Sequence, residues 1–152
     1  MTPQEQSKEI YRRMVNEVVN QGHFEVVEEL FHPDYVDHAA PPGAPGGLEG
    51  VKAIFGMFRT AFPDVVFRID DMVADGDIVA TLVHGEGTHN GPFMGLAPTG
   101  IHAAWRSVGF FRVKDGKIVE HWGIPDLFGL LVQLGVIPEP AAAAGKPSEL
   151  RN

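Results

Sequence analysis

Apolar residues recur at helical spacing in three segments of the N-terminal half of the chain. In the first segment Ile10, Met14 and Val18 lie on one line of a helix, with Tyr11 and Val15 beside it. Segments 24–31 and 48–62 repeat this spacing. The pattern therefore predicts three amphipathic helices. The second should end before a His-Pro pair, because the residue before proline avoids helical backbone.

The C-terminal half favours strands joined by tight turns. Strand-forming residues dominate four segments, at 65–74, 78–88, 101–113 and 117–124. Asp75-Gly76 and Asp115-Gly116 are strong hairpin signals, since glycine accepts positive φ. A shorter strand at 35–38 is expected before them, and Pro125 is expected to open a last helix.

Helices that come first and strands that follow predict an α+β fold, in which a curved antiparallel sheet wraps on the N-terminal helices. We expect one domain over residues 1–137 and an extended or disordered tail over 138–152. Segment 78–88 is apolar on both sides, whereas a strand with one wet face alternates. Both sheet faces should therefore be covered, one by the helices and the other by a second copy. This predicts a homodimer or higher homo-oligomer.

Composition narrows the classes of partner. The chain has 152 residues, a formal net charge of -8 and no cysteine. The acidic balance argues against nucleic acid and anionic membranes as partners, because both bind Lys/Arg clusters. The missing cysteines exclude disulfides and thiolate chemistry. The polar N-terminus is unlike a signal peptide and no apolar run could span a bilayer, so a cytoplasmic protein is expected.

Three motifs carry a resemblance that extends over residues 10–137. They are FHPDYVDH, GTHNGPFMGLAPTG and FRVKDGKIVEHWGIPDLFGLLVQLG, in this order. With them the chain resembles the SnoaL-like polyketide cyclase (ester cyclase) family, within the cone-shaped superfamily of nuclear transport factor and ketosteroid isomerase. Cyclases of this family close a ring by intramolecular aldol condensation without a cofactor. The resemblance thus implies no cofactor and an apolar small molecule as substrate.

The same resemblance implies where the catalytic groups should lie. Family cyclases use an acidic residue two positions after the histidine of the last strand, and here that position is Gly123. A family histidine on the preceding strand falls at Gly109, with a polar neighbour at Ser107. A family asparagine of the first short strand falls at Asp37. Both principal polar groups are thus replaced by hydrogen, and an aspartate introduced at position 123 should fit.

Strand alternation predicts which side chains meet around the cavity. Successive strand residues point to opposite faces, so one face of the last strand carries Val119, His121 and Gly123. The neighbouring strand carries Trp105, Ser107, Gly109 and Phe111 on one face. In the register that the resemblance implies, both faces line one cavity, wide at its two glycines. The loop 89–100 adds Phe93 and Met94, which suit a lid over the pocket and an oligomer contact equally.

With glycine at positions 109 and 123, His121 remains as the candidate residue for proton transfer. An imidazole titrates near working pH, so His121 can replace the missing carboxylate as the base, with Asp37 orienting it. The structural alternative is a partly buried histidine bonded to backbone. Asp37 and His38 are adjacent in a strand, so only one of them can enter the pocket, and the sequence does not decide which.

Two function classes follow from these residues. The first is a cofactor-independent cyclase, isomerase, lyase or hydrolase acting on an apolar, carbonyl-bearing molecule. The second is a small-molecule-binding protein that kept the cone and lost the catalyst. A metal site is not expected, because His84 and Glu86 share a strand face without a fixed third ligand.

Overall fold

The computed structural model describes residues 1–140 of the chain, which form helices packed on one face of a mixed sheet. The helical segments are α1 (Pro3–Arg13), a π-helix (Met14–Asn20), a 3-10 turn (Phe24–Val26), α2 (Val27–Leu30), α3 (Gly47–Ala61) and α4 (Leu127–Gln133). The strands are β1 (Phe31–Asp37), β2 (Val66–Asp75), β3 (Ile78–Thr88), β4 (His102–Lys114) and β5 (Lys117–Pro125). The predicted α+β class is confirmed.

The sheet is curved and unclosed, with five strands in the order β1-β5-β4-β3-β2. The last four strands form the predicted antiparallel meander, and β1 adds to its edge in parallel with β5. The prediction that helix continues to residue 31 was wrong, because β1 already begins at Phe31. Pro33 is tolerated within β1 because an edge strand leaves some N–H positions unpaired.

The first helix changes form halfway along its length. The apolar spacing of Ile10, Met14 and Val18 predicts one regular α-helix, but its second half is a π-helix. Arg59 of α3 donates to the carbonyls of Val19 and Asn20 at 2.9 and 3.0 Å, so the end of the π-helix is satisfied by a cation. The Asn20 amide in turn bonds both backbone groups of Phe67 on β2. These contacts fasten the helix to the sheet.

Two core clusters fill the space between the helices and the sheet. The larger one joins α1 and the π-helix to inward side chains of β3 and β4, such as Val79 and Phe111. The smaller one surrounds Trp105 with residues from the end of α3 and from α4. In β5, Ile118 enters the core, whereas alternation predicts Val119 on the inner face with His121. The difference arises because the β4–β5 register shifts between Arg112 and Val113.

The opposite sheet face keeps large apolar side chains in solvent. Val73, Val108, Phe110 and Ile124 are each more than half exposed there. No helix of the described residues covers this face. The predicted tail lies, from residue 141 onward, outside the described residues. Among residues 1–140, no helix combines the length and apolar character that a membrane crossing requires.

Replacing Asn20 by Ala should destabilise the fold, because the backbone N–H and carbonyl of Phe67 would both lose their partner. We expect the free energy of unfolding to fall by about 1–3 kcal/mol in urea denaturation. Asn16→Ala is the matched control, since Asn16 lies exposed in the same π-helix. Equal stability of the two variants would contradict the assigned role of Asn20.

Candidate active site

Asp37 and His121 meet side by side at the edge of the sheet. They are direct partners in the parallel β1–β5 pairing, and the backbone N–H of His38 continues the pairing by donating to the His121 carbonyl. His121 Nδ1 lies 3.0 Å from Asp37 Oδ1. Their side chains are 22% and 15% exposed, so the pair is mostly buried and still reachable. The structure thus brings together the two residues predicted as base and orienting group.

The charge on Asp37 fixes how the imidazole is protonated. Burial alone would raise the pKa of Asp37, but hydrogen bonds from His121 and from the Ala39 backbone N–H outweigh it and lower that pKa. The carboxylate is therefore ionised at neutral pH and can only accept hydrogen bonds. It follows that His121 Nδ1 carries a proton, and that in the neutral ring Nε2 keeps a free lone pair.

The glycines predicted to widen the cavity instead make room for the His121 ring. Gly109 and Gly123 are direct partners in the β4–β5 pairing. A Cβ at Gly123 would lie 2.5 Å from His121 Nε2 and 2.9 Å from Cε1, far inside van der Waals contact. At Gly109 it would lie 3.4 Å from the same nitrogen. An aspartate at position 123 therefore requires the imidazole to move, because the ring occupies that space.

Aromatic packing holds the other side of the ring. Phe111 stacks on His121 with ring centroids 4.4 Å apart, and Tyr11 from α1 packs on Phe111 at 4.7 Å. Burial raises the pKa of Tyr11 to about 12, despite a hydrogen bond with Thr81 that lowers it. Tyr11 is therefore neutral at working pH. The imidazole lies between a rigid apolar stack and two positions without side chains.

His38 lies on the outer face of the sheet, away from this pair. Its ring stacks on Trp122 at 4.7 Å, and its Nε2 lies 2.9 Å from Glu120. The alternative that the sequence left open is thereby decided in favour of Asp37. The placement of His38 gives it no contact with His121 through its side chain.

The other predicted pocket residues spread over different environments. Trp105 and Phe93 are 4% and 2% exposed and pack with Phe58 and Phe62 in the smaller core cluster. The structure gives these two residues a packing role. Ser107 is half-buried on β4, and Met94 stands 63% exposed at the tip of its loop.

A cavity of about 220 Å³ opens beside Asp37, between β1, the loop that follows it and the first turn of α3. Tyr35 contributes to its wall together with Asp37. Tyr35 is not among the predicted site residues, although its position two residues before Asp37 on a strand places both on one face. Within the described residues, no three His, Asp or Glu side chains are grouped so that they could hold a metal ion.

Gly123→Ala should push the His121 ring off its present position, because the new methyl group would overlap Nε2. We expect the hydrogen bond to Asp37 to be lost, which a change in the ¹⁵N chemical shifts of the His121 ring would report by NMR. Gly109→Ala is the graded control and should perturb the ring less, since its methyl group would only touch Nε2. Unchanged His121 shifts in Gly123→Ala would refute this account of the glycine.

Comparisons with known proteins agree with this architecture. A family model described as SnoaL-like polyketide cyclase matches residues 9–134. The nogalonic acid methyl ester cyclase of Streptomyces nogalater is 31% identical over 76% of this chain and 88% of its own. The aklanonic acid methyl ester cyclase DnrD of Streptomyces peucetius is 29% identical over 91% of this chain and 97% of its own. The crystal structure of IdmH from Streptomyces antibioticus superposes with a TM-score of 0.75 at 37% identity, over 86% of this chain and 99% of IdmH. The chain belongs to the SnoaL-like polyketide cyclase family.

Proposed function

We propose that this protein catalyses a cofactor-independent acid/base reaction, of the aldol cyclisation type, on an apolar small molecule that carries carbonyl groups. His121 is the general base and Asp37 is its positioning residue. The observation that carries the proposal is the imidazole itself: Asp37 holds it at 3.0 Å, and its second nitrogen lies over Gly123, where the family acid would stand.

The geometry supports a complete proton cycle. Nε2 of neutral His121 removes a proton from a carbon next to a carbonyl, and the resulting enolate attacks a second carbonyl carbon of the same molecule. The imidazolium then returns the proton to the new alkoxide, so no external reagent is consumed. Asp37 stabilises the imidazolium while it exists, because an anion 3.0 Å away favours the charged ring. A positioned base contributes about 10²–10⁴-fold in such steps.

The relatives suggest where to look for the substrate. Two of them are named as cyclases of the methyl esters of nogalonic acid and aklanonic acid. Esters of polyketide acids are therefore the first substrate class to test with this protein. Lyase-, isomerase- and hydrolase-type steps use the same base and are the next classes to test.

A second candidate function is small-molecule binding without turnover. It is favoured by the two glycines, since the chain lacks both the carboxylate and the second histidine that the family places there. Under this alternative the Asp37–His121 pair serves as a polar anchor in the binding site. Substrate-class ligands would then bind and remain unchanged.

We further propose that the outer sheet face pairs with a second copy of the chain to form a homodimer or higher homo-oligomer. Its exposed Val108, Phe110 and Ile124 form an apolar patch larger than single surface residues explain. In the same region Arg112 forms ion pairs with Asp77 and Glu120. The charge of Arg112 is therefore balanced within one chain and needs no partner from the second copy.

His121→Gln should lower turnover of a polyketide methyl ester by at least about 100-fold while binding persists, because glutamine cannot take up the proton. His23→Gln, at an exposed histidine distant in sequence, is the control. Turnover retained by His121→Gln would exclude the proposed base.

Phe110→Glu should dissociate the oligomer, because it would bury a charge in the proposed apolar contact. Light scattering should then give the mass of one chain, 16.5 kDa. Val136→Glu, at an exposed apolar residue after α4, should leave the mass unchanged. A monomeric wild type at working concentration would rule out the assembly.

A further inference from the structure

The cavity beside Asp37 has an apolar wall with few polar groups. Its volume is about 220 Å³. Apart from Tyr35 and Asp37, the residues around it are aliphatic, proline or glycine, among them Val36, Pro45 and Ile54. A cavity of roughly 150 Å³ accommodates benzene. This one therefore has room for a single substituted ring, with two polar groups at one side.

The Tyr35 hydroxyl has no partner within the described residues. The Tyr35 side chain is held edge-on against Phe31 at 4.9 Å and is only 5% exposed, yet no side-chain hydrogen bond reaches its oxygen in residues 1–140. The oxygen is also not sealed off, because His89 Nε2 is the sole unpaired side-chain atom of these residues that solvent cannot reach. A buried hydroxyl without a partner costs free energy unless a ligand or water satisfies it. Tyr35 therefore brings to a residue set that lines the cavity a hydroxyl that solvent reaches and that no described side chain engages.

Asp37 sets the direction in which this hydroxyl can act. Burial and the nearby Asp37 charge raise the pKa of Tyr35, so the phenol keeps its proton and remains a donor. Asp37 Oδ1 already accepts from His121 and from the Ala39 N–H. The pair of Tyr35 and Asp37 therefore offers the cavity one neutral donor beside the carboxylate that orients the base.

The outer wall of the cavity is fixed by a glycine. The carbonyl of Pro45 rests directly against Gly50 in the first turn of α3, where any Cβ would overlap that oxygen. The loop after β1 is therefore held close to the helix by backbone contact. The cavity is bounded by packed structure on the loop side as well as on the strand side.

We infer that Tyr35 is the hydrogen-bond donor for a carbonyl oxygen of the substrate, and that this cavity receives the apolar ring next to that carbonyl. The inference rests on the proposed function. When His121 removes a proton from the carbon beside the carbonyl, negative charge develops on the oxygen, and a donor fixed at that place stabilises it. Tyr35 keeps its own proton throughout and returns to the same state after each turnover.

Two ligands of equal shape test the donor without any turnover. Acetophenone presents a carbonyl on one aromatic ring, and α-methylstyrene replaces its oxygen by a methylene group. We expect the wild type to bind acetophenone about five-fold more tightly, as one neutral hydrogen bond supplies. NMR titration should map both ligands to residues around the cavity.

Tyr35→Phe should abolish this preference while leaving the affinity for α-methylstyrene unchanged. Tyr11→Phe is the matched control, because it removes a buried phenol oxygen outside the cavity and should keep the preference. Thermal unfolding of both variants verifies that they are folded. A preference that survives Tyr35→Phe, or ligand shifts that map elsewhere, would overturn the inference.

His121→Gln separates this inference from the proposed function. It should keep the preference for acetophenone, since binding a ketone needs no base. Loss of preference in Tyr35→Phe together with turnover in His121→Gln would retain the carbonyl site and refute the base. The reverse pattern would retain the base and refute the carbonyl site.

Discussion

The parallel pairing of β1 with β5 is the constraint on which the candidate site depends. It joins a strand from the N-terminal half to the last strand of the chain, and so brings Asp37 next to His121 across 84 residues of sequence. An antiparallel meander alone would hold His121 at a sheet edge without a carboxylate. With β1 in place, the imidazole has a defined tautomer, a fixed orientation and a neighbouring cavity.

Much of the fold could be predicted because its signals are local. The bounds of β3 follow from its run of strand-forming residues, and the two Asp-Gly turns follow from glycine at positive φ, as at Gly76 and Gly116. The start of β1 could not be predicted, because Phe31 becomes a strand residue only by pairing with Ile118. The same holds for the register shift that puts Ile118 in the core, since neither helical nor strand periodicity encodes a bulge.

The sequence could predict which residues form the candidate site but could not predict how their side chains are arranged. A histidine beside missing family groups pointed to His121, and alternation limited the first strand to Asp37 or His38. What the sequence could not give is the side-chain rotamer, which depends on Phe111 stacking from one side. For this reason the sequence predicts empty space at Gly123, whereas the imidazole fills that space in the structure.

Asp37 and His38 stand back to back in β1, one toward His121 and the other against Trp122 on the outer face. A single peptide bond therefore connects the Asp37–His121 pair to the sheet face proposed for self-association. A contact at Trp122 and His38 would therefore act on the same stretch of backbone that positions the Asp37 carboxylate. A substitution on the outer face at His38 would consequently also displace the Asp37 carboxylate from the His121 ring.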